Sequence, residues 1–364
     1  MDVEFHYYMT YLIAVRAGFS PEDAYIIAHA SENVDDNHVP VEVRGANDGI
    51  YKNTISQTMD ITRPHLDGSI YPIFHFVPGD KTLLSAARKD GIQSDWVTTP
   101  NNQNAQSILD AAFQSQDLYR IGLASHTYVD TWAHQNFVGK YDVGNKVPLE
   151  EFALSDIETL AFDAAAPIGH GAALHYPDEP GRIWTDGRLI GDNIRNCDRF
   201  MEAAQHLFYK YAQYTKKLDS ALWPSIADKL KNDLLEDIGL VNSDGGEDQA
   251  SRIGRYKARA LKPEYGGKEM PPYDERDWFN QALVVDSDET ALFARLRAKL
   301  SASIDDYFDM VAKGSRIFCT WKDPANYKDS HWYKFQQAVT AQKDFGTDLL
   351  QDFISTPEVT ITAA

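Results

Sequence analysis

Between Asn104 and Phe137 the sequence contains no proline, and Ile108, Ala112, Leu118, Ile121, Leu123 and Val129 recur near helical spacing, which predicts one long helix. A helix this apolar must be enclosed by other elements, so the stretch constrains the whole fold. It also carries His126, Asp130 and His134, four residues apart. Each step of four advances only about 40° around a helix axis, so the three share one face. Neighbours at that spacing have Cβ atoms roughly 5–6 Å apart, close enough for an imidazole and a carboxylate to grip one metal ion. Asp130, in the middle, can offer one oxygen toward each histidine, the arrangement of a carboxylate that bridges two metals. The bland alternative is a pair of hydrogen-bonded core histidines and a solvated acid. Among Leu123, Val129 and Trp132, however, three polar groups would each need a burial partner.

Helical spacing dominates elsewhere too, and alternating strand patterns are few, so the fold class is mainly α: a multi-helix bundle forming a single domain over residues 1–364. After an opening helix, Ser20-Pro21-Glu22-Asp23 supplies an N-cap, a proline at the first helical position and an early acid, starting a helix through Val34 that stops at Asp35-Asp36-Asn37. Residues 41–100 read as irregular chain with short strands and one helix near 83–89. Further helices are expected over 149–166, 189–218, 225–238, 289–312 and 331–355. The Gly-, Pro- and charge-rich residues 240–287 read as an irregular excursion or lid within an elaborated C-terminal part.

The chain has 35 Lys plus Arg against 54 Asp plus Glu, a net charge of −19, which excludes a simple clamp on duplex nucleic acid. With two cysteines, Cys197 and Cys319, there is no thiolate metal site, so any metal must be held by imidazole and carboxylate. The N-terminus has acids before its apolar stretch and lacks the basic start of a signal peptide. No apolar run reaches the ~18 residues of a transmembrane segment. These features lead us to expect a cytoplasmic protein; they leave its oligomeric state open.

The other candidates lie mostly in the first half. His6 stands in Glu4-Phe5-His6-Tyr7-Tyr8, an apolar setting in which a lone imidazole is expensive to bury. Asp35 or Asp36 could supply a hard oxygen ligand. His75, in Pro72-Ile73-Phe74-His75-Phe76-Val77-Pro78, sits in what reads as an extended apolar stretch. His170 and His175 flank a turn before Asp178, and either could meet that acid near the long helix. His29 could approach the site or simply pack; His38, His65, His206 and His331 carry no clear signal. There is no Gly-rich phosphate loop, no G-x-S-x-G elbow and no cysteine set beside a plausible catalytic histidine, so metal chemistry is the strongest candidate.

Taken in order, His6, Asp35 or Asp36, His75, His126-x3-Asp130-x3-His134 and then a histidine with Asp178 resembles the zinc-dependent phospholipase C and fungal single-strand nuclease superfamily. The resemblance covers about the first half of the chain. It implies an α-helical bundle of that type holding a zinc cluster. Asp130 would bridge two metals, His126 and His75 would join one of that pair, and His134 with His170 or His175 and Asp178 would hold a third. It also implies a first residue whose amino group and carbonyl bind zinc; with Met1 there, Asp2 or Glu4 is an expected substitute, or the cluster holds only two ions. The segments EFHYYMTYLIAVRAGF, VDDN and GHGAALHYPDEP also resemble an uncharacterised bacterial and fungal family of unknown function.

The leading expectation is a metal-dependent hydrolase of a small phosphoester, a small anionic substrate, using two or three Zn ions and a metal-activated water. Asp35, Asp36 and Asp130 are the candidate catalytic carboxylates. A second expectation is a dinuclear Fe or Mn enzyme, either an oxygenase or a hydrolase of another bond, since these ligands suit those metals as well. The third is a non-catalytic protein whose helices are stapled by metal.

Overall fold

A computed structural model of the chain describes residues 1–45, 49–58, 68–83, 88–91, 94–147, 168–286 and 317–354, and shows a mainly α architecture. The helices expected over 149–166 and 289–312, most of the one near 83–89, and His65 lie outside the described residues.

The chain opens with a π-helical stretch, Glu4–Met9, that runs directly into α1 (Thr10–Arg16). Helix α2 (Pro21–Asp36) starts where the sequence predicts: the Ser20 hydroxyl accepts from the Asp23 amide, and Pro21 occupies a first-turn position whose N–H has no helical partner anyway. It continues past Val34, so Asp35 and Asp36 form its last turn instead of stopping it.

The single helix expected over 104–137 is two, α4 (Gln103–Ser115) and α5 (Leu118–Ala133). Between them Gln116 takes a left-handed conformation (φ 58°), and the Asp117 carboxylate accepts from the Tyr119 and Arg120 amides to cap α5. This break uses neither proline nor glycine, which is why apolar spacing alone missed it. His75 is likewise not in extended chain. It follows a short helix, α3 (Ile70–Phe74), in which Pro72 lies within the first turn, where its missing N–H does no harm.

The second half contributes α6 (Asn196–Thr215), α7 (Trp223–Ile238), α8 (Gln249–Ala260), α9 (Asp277–Ala282), α10 (His331–Leu349) and α11 (Gln351–Ile354). Both α8 and α9 fall within residues 240–287, so that stretch is not uniformly irregular. A four-stranded sheet has the order β2 (Ile50–Lys52), β1 (Val41–Arg44), β6 (Ile317–Trp321), β5 (Leu283–Val285), with β1 and β6 parallel and the outer pairs antiparallel. Its residues Val43, Leu283, Cys319 and Trp321 are buried with Trp332, Phe335 and Val339 of α10. A small antiparallel pair, β3 (Ile183–Thr185) and β4 (Asn193–Arg195), leads into α6.

The main core joins α1, α2, α5 and α6 through residues such as Phe5, Tyr11, Ile27, Ile121, Trp132, Phe200 and Tyr211. Helices α2 and α5 meet at Gly122, where a Cβ would lie 2.2 Å from the Ile27 carbonyl oxygen and 2.9 Å from the Ala30 Cβ. Only glycine permits that approach, which brings the end of α2 beside the face of α5 that bears His126 and Asp130. Among the described residues no helix is long and apolar enough to cross a membrane.

Candidate metal centre

Asp130 is 1% exposed on α5, and groups from the N-terminus, from His75 and from its own helix and cap converge on it. Its Oδ1 lies 2.6 Å from the Met1 amino nitrogen and 3.1 Å from His6 Nε2. Its Oδ2 lies 3.1 Å from His126 Nε2 and 3.5 Å from both His75 Nδ1 and His134 Nδ1. At the end of α2, Asp35 Oδ1 stands 3.5 Å from His75 Nδ1 and 3.8 Å from His126 Nε2, and those two nitrogens are 3.2 Å apart. On the opposite side Asp178 Oδ1 is 3.1 Å from His134 Nε2 and from the Met1 nitrogen, while Oδ2 is 3.1 Å from His170 Nε2.

Three groupings follow, each with its ligand atoms within 4.8 Å of one another and each able to hold a metal ion: His6, His126 and Asp130; Asp35, His75 and His126; His134, His170 and Asp178. Two donors on one tetrahedral ion with bonds of about 2.0–2.1 Å sit roughly 3.3 Å apart. The separations observed here are of that size.

The tautomers sharpen the fit. A carbonyl oxygen only accepts, so the ring nitrogen facing it carries the proton. His75 Nε2 donates to Ser56 O (2.9 Å), His134 Nδ1 to His75 O (2.9 Å) and His170 Nδ1 to Leu174 O (2.7 Å). In the neutral ring the inner nitrogen of each then presents a lone pair to a carboxylate oxygen, an unfavourable contact unless a cation or a proton lies between them. Outer N–H groups held by carbonyls are also how metal-ligating histidines are oriented. Both ring nitrogens of His6, the Nδ1 of His126 and the Oδ2 of Asp130 are buried without a hydrogen bond, although oppositely charged or polar neighbours stand close by. These are orphaned groups of the kind an ion would satisfy.

The electrostatics agree. Burial, then the neighbouring His126, pushes the His6 pKa down to about 3, and burial lowers that of His134 against the pull of Asp130, so both rings are neutral. Burial opposes a charged His170, but Asp178 outweighs it and raises its pKa. Burial would lift Asp130 and Asp178, yet surrounding imidazoles and the Met1 ammonium hold both well below the usual carboxylate range. Burial likewise disfavours the ammonium, and Asp130, Asp178 and Asp35 together push its pKa up to about 11.

Not every expected residue joins. Asp36 Oδ2 accepts from the Tyr273 hydroxyl instead of facing the imidazoles, and burial raises its pKa to about 6. His175 is 62% exposed and pairs with Glu179, so His170 is the histidine that meets Asp178. The expected substitutes Asp2 and Glu4 are engaged elsewhere: Asp2 accepts from the Glu4 amide and from Gln249, and Glu4 makes a buried bidentate pair with Arg252. The Met1 nitrogen instead lies 2.6 Å from Asp130 Oδ1 and 3.1 Å from Asp178 Oδ1. His29 packs flat on Trp278 (3.9 Å between ring centres), His206 lies against Trp132, and His331 stacks on Trp278. Sequence reasoning missed Phe76, which stacks on His134 at 4.4 Å, and the buried acid Glu32; the only signal for Glu32 was its place three residues before Asp35.

Over residues 1–350 the sequence matches a family described only as a family of unknown function, DUF6765. The chain belongs to this family. Neither the curated proteins nor the solved structures contain a match to this family member. Its chemistry must therefore be argued from the centre itself.

Proposed function

We propose that the protein is a metal-dependent hydrolase of a small phosphoester, built on the ligand order that resembles the zinc-dependent phospholipase C and single-strand nuclease superfamily. The observation that carries this reading is the apposition of His134 and His170 Nε2 with the two oxygens of Asp178, repeated by His75 Nδ1 against Asp35. Exposure supports a catalytic role over a structural one. His6, His75, His126, Asp130 and His134 are at most 4% exposed, whereas the side chains of Asp35 and Asp178 are 29% and 16% exposed. A structural site is closed on all sides, while a catalytic one keeps an edge open to substrate. A cavity of about 390 Å³ opens beside Asp178, walled also by Asp2, Glu179, Asp244 and Arg252. Its acidic wall and the net charge of −19 favour a small substrate over a polyanion.

Bound in the three groupings, two or three divalent ions, zinc foremost, would supply Lewis acidity that acidifies water and draws off negative charge from phosphoryl oxygens. The protein's own groups do the rest. His126 is shared by two of the groupings, and Asp130, which belongs to the first, places its Oδ2 3.5 Å from His75 Nδ1 of the second and from His134 Nδ1 of the third, so it helps to fix their spacing. Asp35 is kept ionised by His126 and His75 against its burial and stands at the open edge, where it can orient an entering water and accept its proton. Phe76, stacked on His134, holds that ring's orientation and keeps solvent from its face.

The test is elemental analysis with hydrolysis of a panel of phosphomonoesters and phosphodiesters, before and after chelation and reloading with Zn, Mn or Fe. Chelation is expected to abolish hydrolysis and Zn to restore it, and Asp130→Asn to lose more than one equivalent of metal together with activity. A fully loaded protein that cleaves nothing in the panel overturns the phosphoester reading. Iron uptake with oxygen consumption would put an oxygenase in its place.

A further inference from the structure

Glu32 is 7% exposed and its Oε2 is buried with no hydrogen-bond partner. It stands on α2 three and four residues before Asp35 and Asp36, at the spacing where helix neighbours share a face and lie about 5–6 Å apart at Cβ. The charges bearing on it most are those of Asp35, Asp36 and Asp2, all of its own sign, followed by the Met1 ammonium, which is already committed to Asp130 and Asp178. An ionised carboxylate surrounded by acids in a dry site is among the most expensive arrangements a protein can hold, and without a cation the group must stay protonated. Burial and these neighbours accordingly raise its pKa well above the ordinary value.

The other buried acids nearby are accounted for. Glu4 has Arg252, Asp36 has the Tyr273 hydroxyl, and Asp130 and Asp178 have imidazoles and the ammonium. Among these carboxylates Asp130 Oδ2 and Glu32 Oε2 are both buried without a hydrogen bond. The first lies within 3.5 Å of three imidazole nitrogens, whereas Glu32 stands outside the three groupings while its helix neighbour Asp35 takes part in one.

We propose that Glu32 is a further ligand of the centre, lending Oε2 to a divalent ion that it shares with Asp35. This rests on the metal centre of the preceding subsection and not on the reaction assigned to it. A carboxylate offering hard oxygen on the Asp35 side would also make that position more tolerant of Mn or Mg than the histidine-rich positions around His6 and His134.

The experiment is equilibrium dialysis of the full chain against Zn and against Co, with metal counted by elemental analysis and the visible spectrum of the Co form recorded. Glu32→Gln keeps the shape and removes the charge. It is expected to weaken the binding of one equivalent at least ~10-fold and to shift the Co spectrum, with far-ultraviolet circular dichroism unchanged and the metal-free thermal midpoint equal or higher. Glu32→Asp keeps the acid but shortens its reach, and is expected to weaken the same equivalent should the Gln variant fail to fold. Asp36→Asn, which removes an acid held by Tyr273, is expected to leave the count intact. Identical affinity, stoichiometry and Co spectrum in the Glu32 variants overturn the proposal while leaving the centre standing. A wild-type chain that takes up no ion overturns both.

Discussion

Asp130 shows how much a single side chain is asked to do in this molecule: one carboxylate, almost wholly buried, meets an amine and four imidazoles through its two oxygens. Its meeting with His126 and His134 was legible in the sequence because a four-residue spacing puts the three polar groups on one face of an apolar helix. Glu32 was legible only through its place three residues before Asp35, and the amino group of Met1 only through the resemblance, since no residue pattern marks it. His29 is the control at this scale, a buried imidazole outside the three groupings. Burial, against the pull of Asp277, lowers its pKa to about 4 from an unfolded value of 6.5. Between those values the unfolded chain binds the proton and the folded one does not, so His29 contributes stability that is whole above pH 6.5 and is lost as pH falls toward 4. Replacing it by phenylalanine keeps a ring against Trp278 and removes the titration. The loss of unfolding free energy from pH 7 to 4.5, measured by urea titration of metal-free protein, is expected to shrink by about 2 kcal/mol.

Among the elements, α2 and α5 matter most, because one carries Glu32 and Asp35 and the other His126 and Asp130. Their approach depends on Gly122, and no sequence period announces that a glycine in a helix is there for its missing Cβ. For Gly122→Ala the methyl would meet a backbone carbonyl that has nowhere to go. The helices must separate, with an expected stability loss of about 1–3 kcal/mol. The same displacement is expected to weaken the ion shared across the Asp35 side more than the one at His134, His170 and Asp178, which competition with a graded chelator would read. A uniform loss across all sites would argue that the two helices do not set the geometry. The break between α4 and α5 escaped the sequence because a turn closed by Gln116 and Asp117 has neither proline nor glycine, and the five-residue α3 escaped it because it is too short for a helical period to show.

On the scale of the whole molecule, the mainly α class followed from period alone, and α6, α7 and α10 lie close to where their apolar faces predict. The sheet did not follow, since β6 pairs with a strand some 270 residues earlier, and pairing at that distance leaves no local mark. A chain of net charge −19 that also gathers acids around one buried point is poised against itself until cations arrive. Ions that bind only the folded state add RT ln(1 + [L]/Kd), about 2.7 kcal/mol for each site at a hundred-fold excess over Kd. Calorimetry is therefore expected to show a thermal midpoint that climbs with free Zn and drops on chelation. A midpoint indifferent to both would mean that no folded-state site exists.

The parallel register of Val41–Arg44 against Ile317–Trp321 has a consequence for the order of events in the cell. The strand that follows Asp35 by a few residues emerges from the ribosome early, yet the segment it lies beside is made only after most of the polypeptide has been released into solution. Until then the C-terminal end of α2 has α5 and the Asn37 and Ser56 hydrogen bonds to hold it, but β1 has only β2 beside it. One edge of β1 therefore stays open while the middle of the chain is made, a place where a stray strand could pair, and it closes only when Ile317–Trp321 arrives.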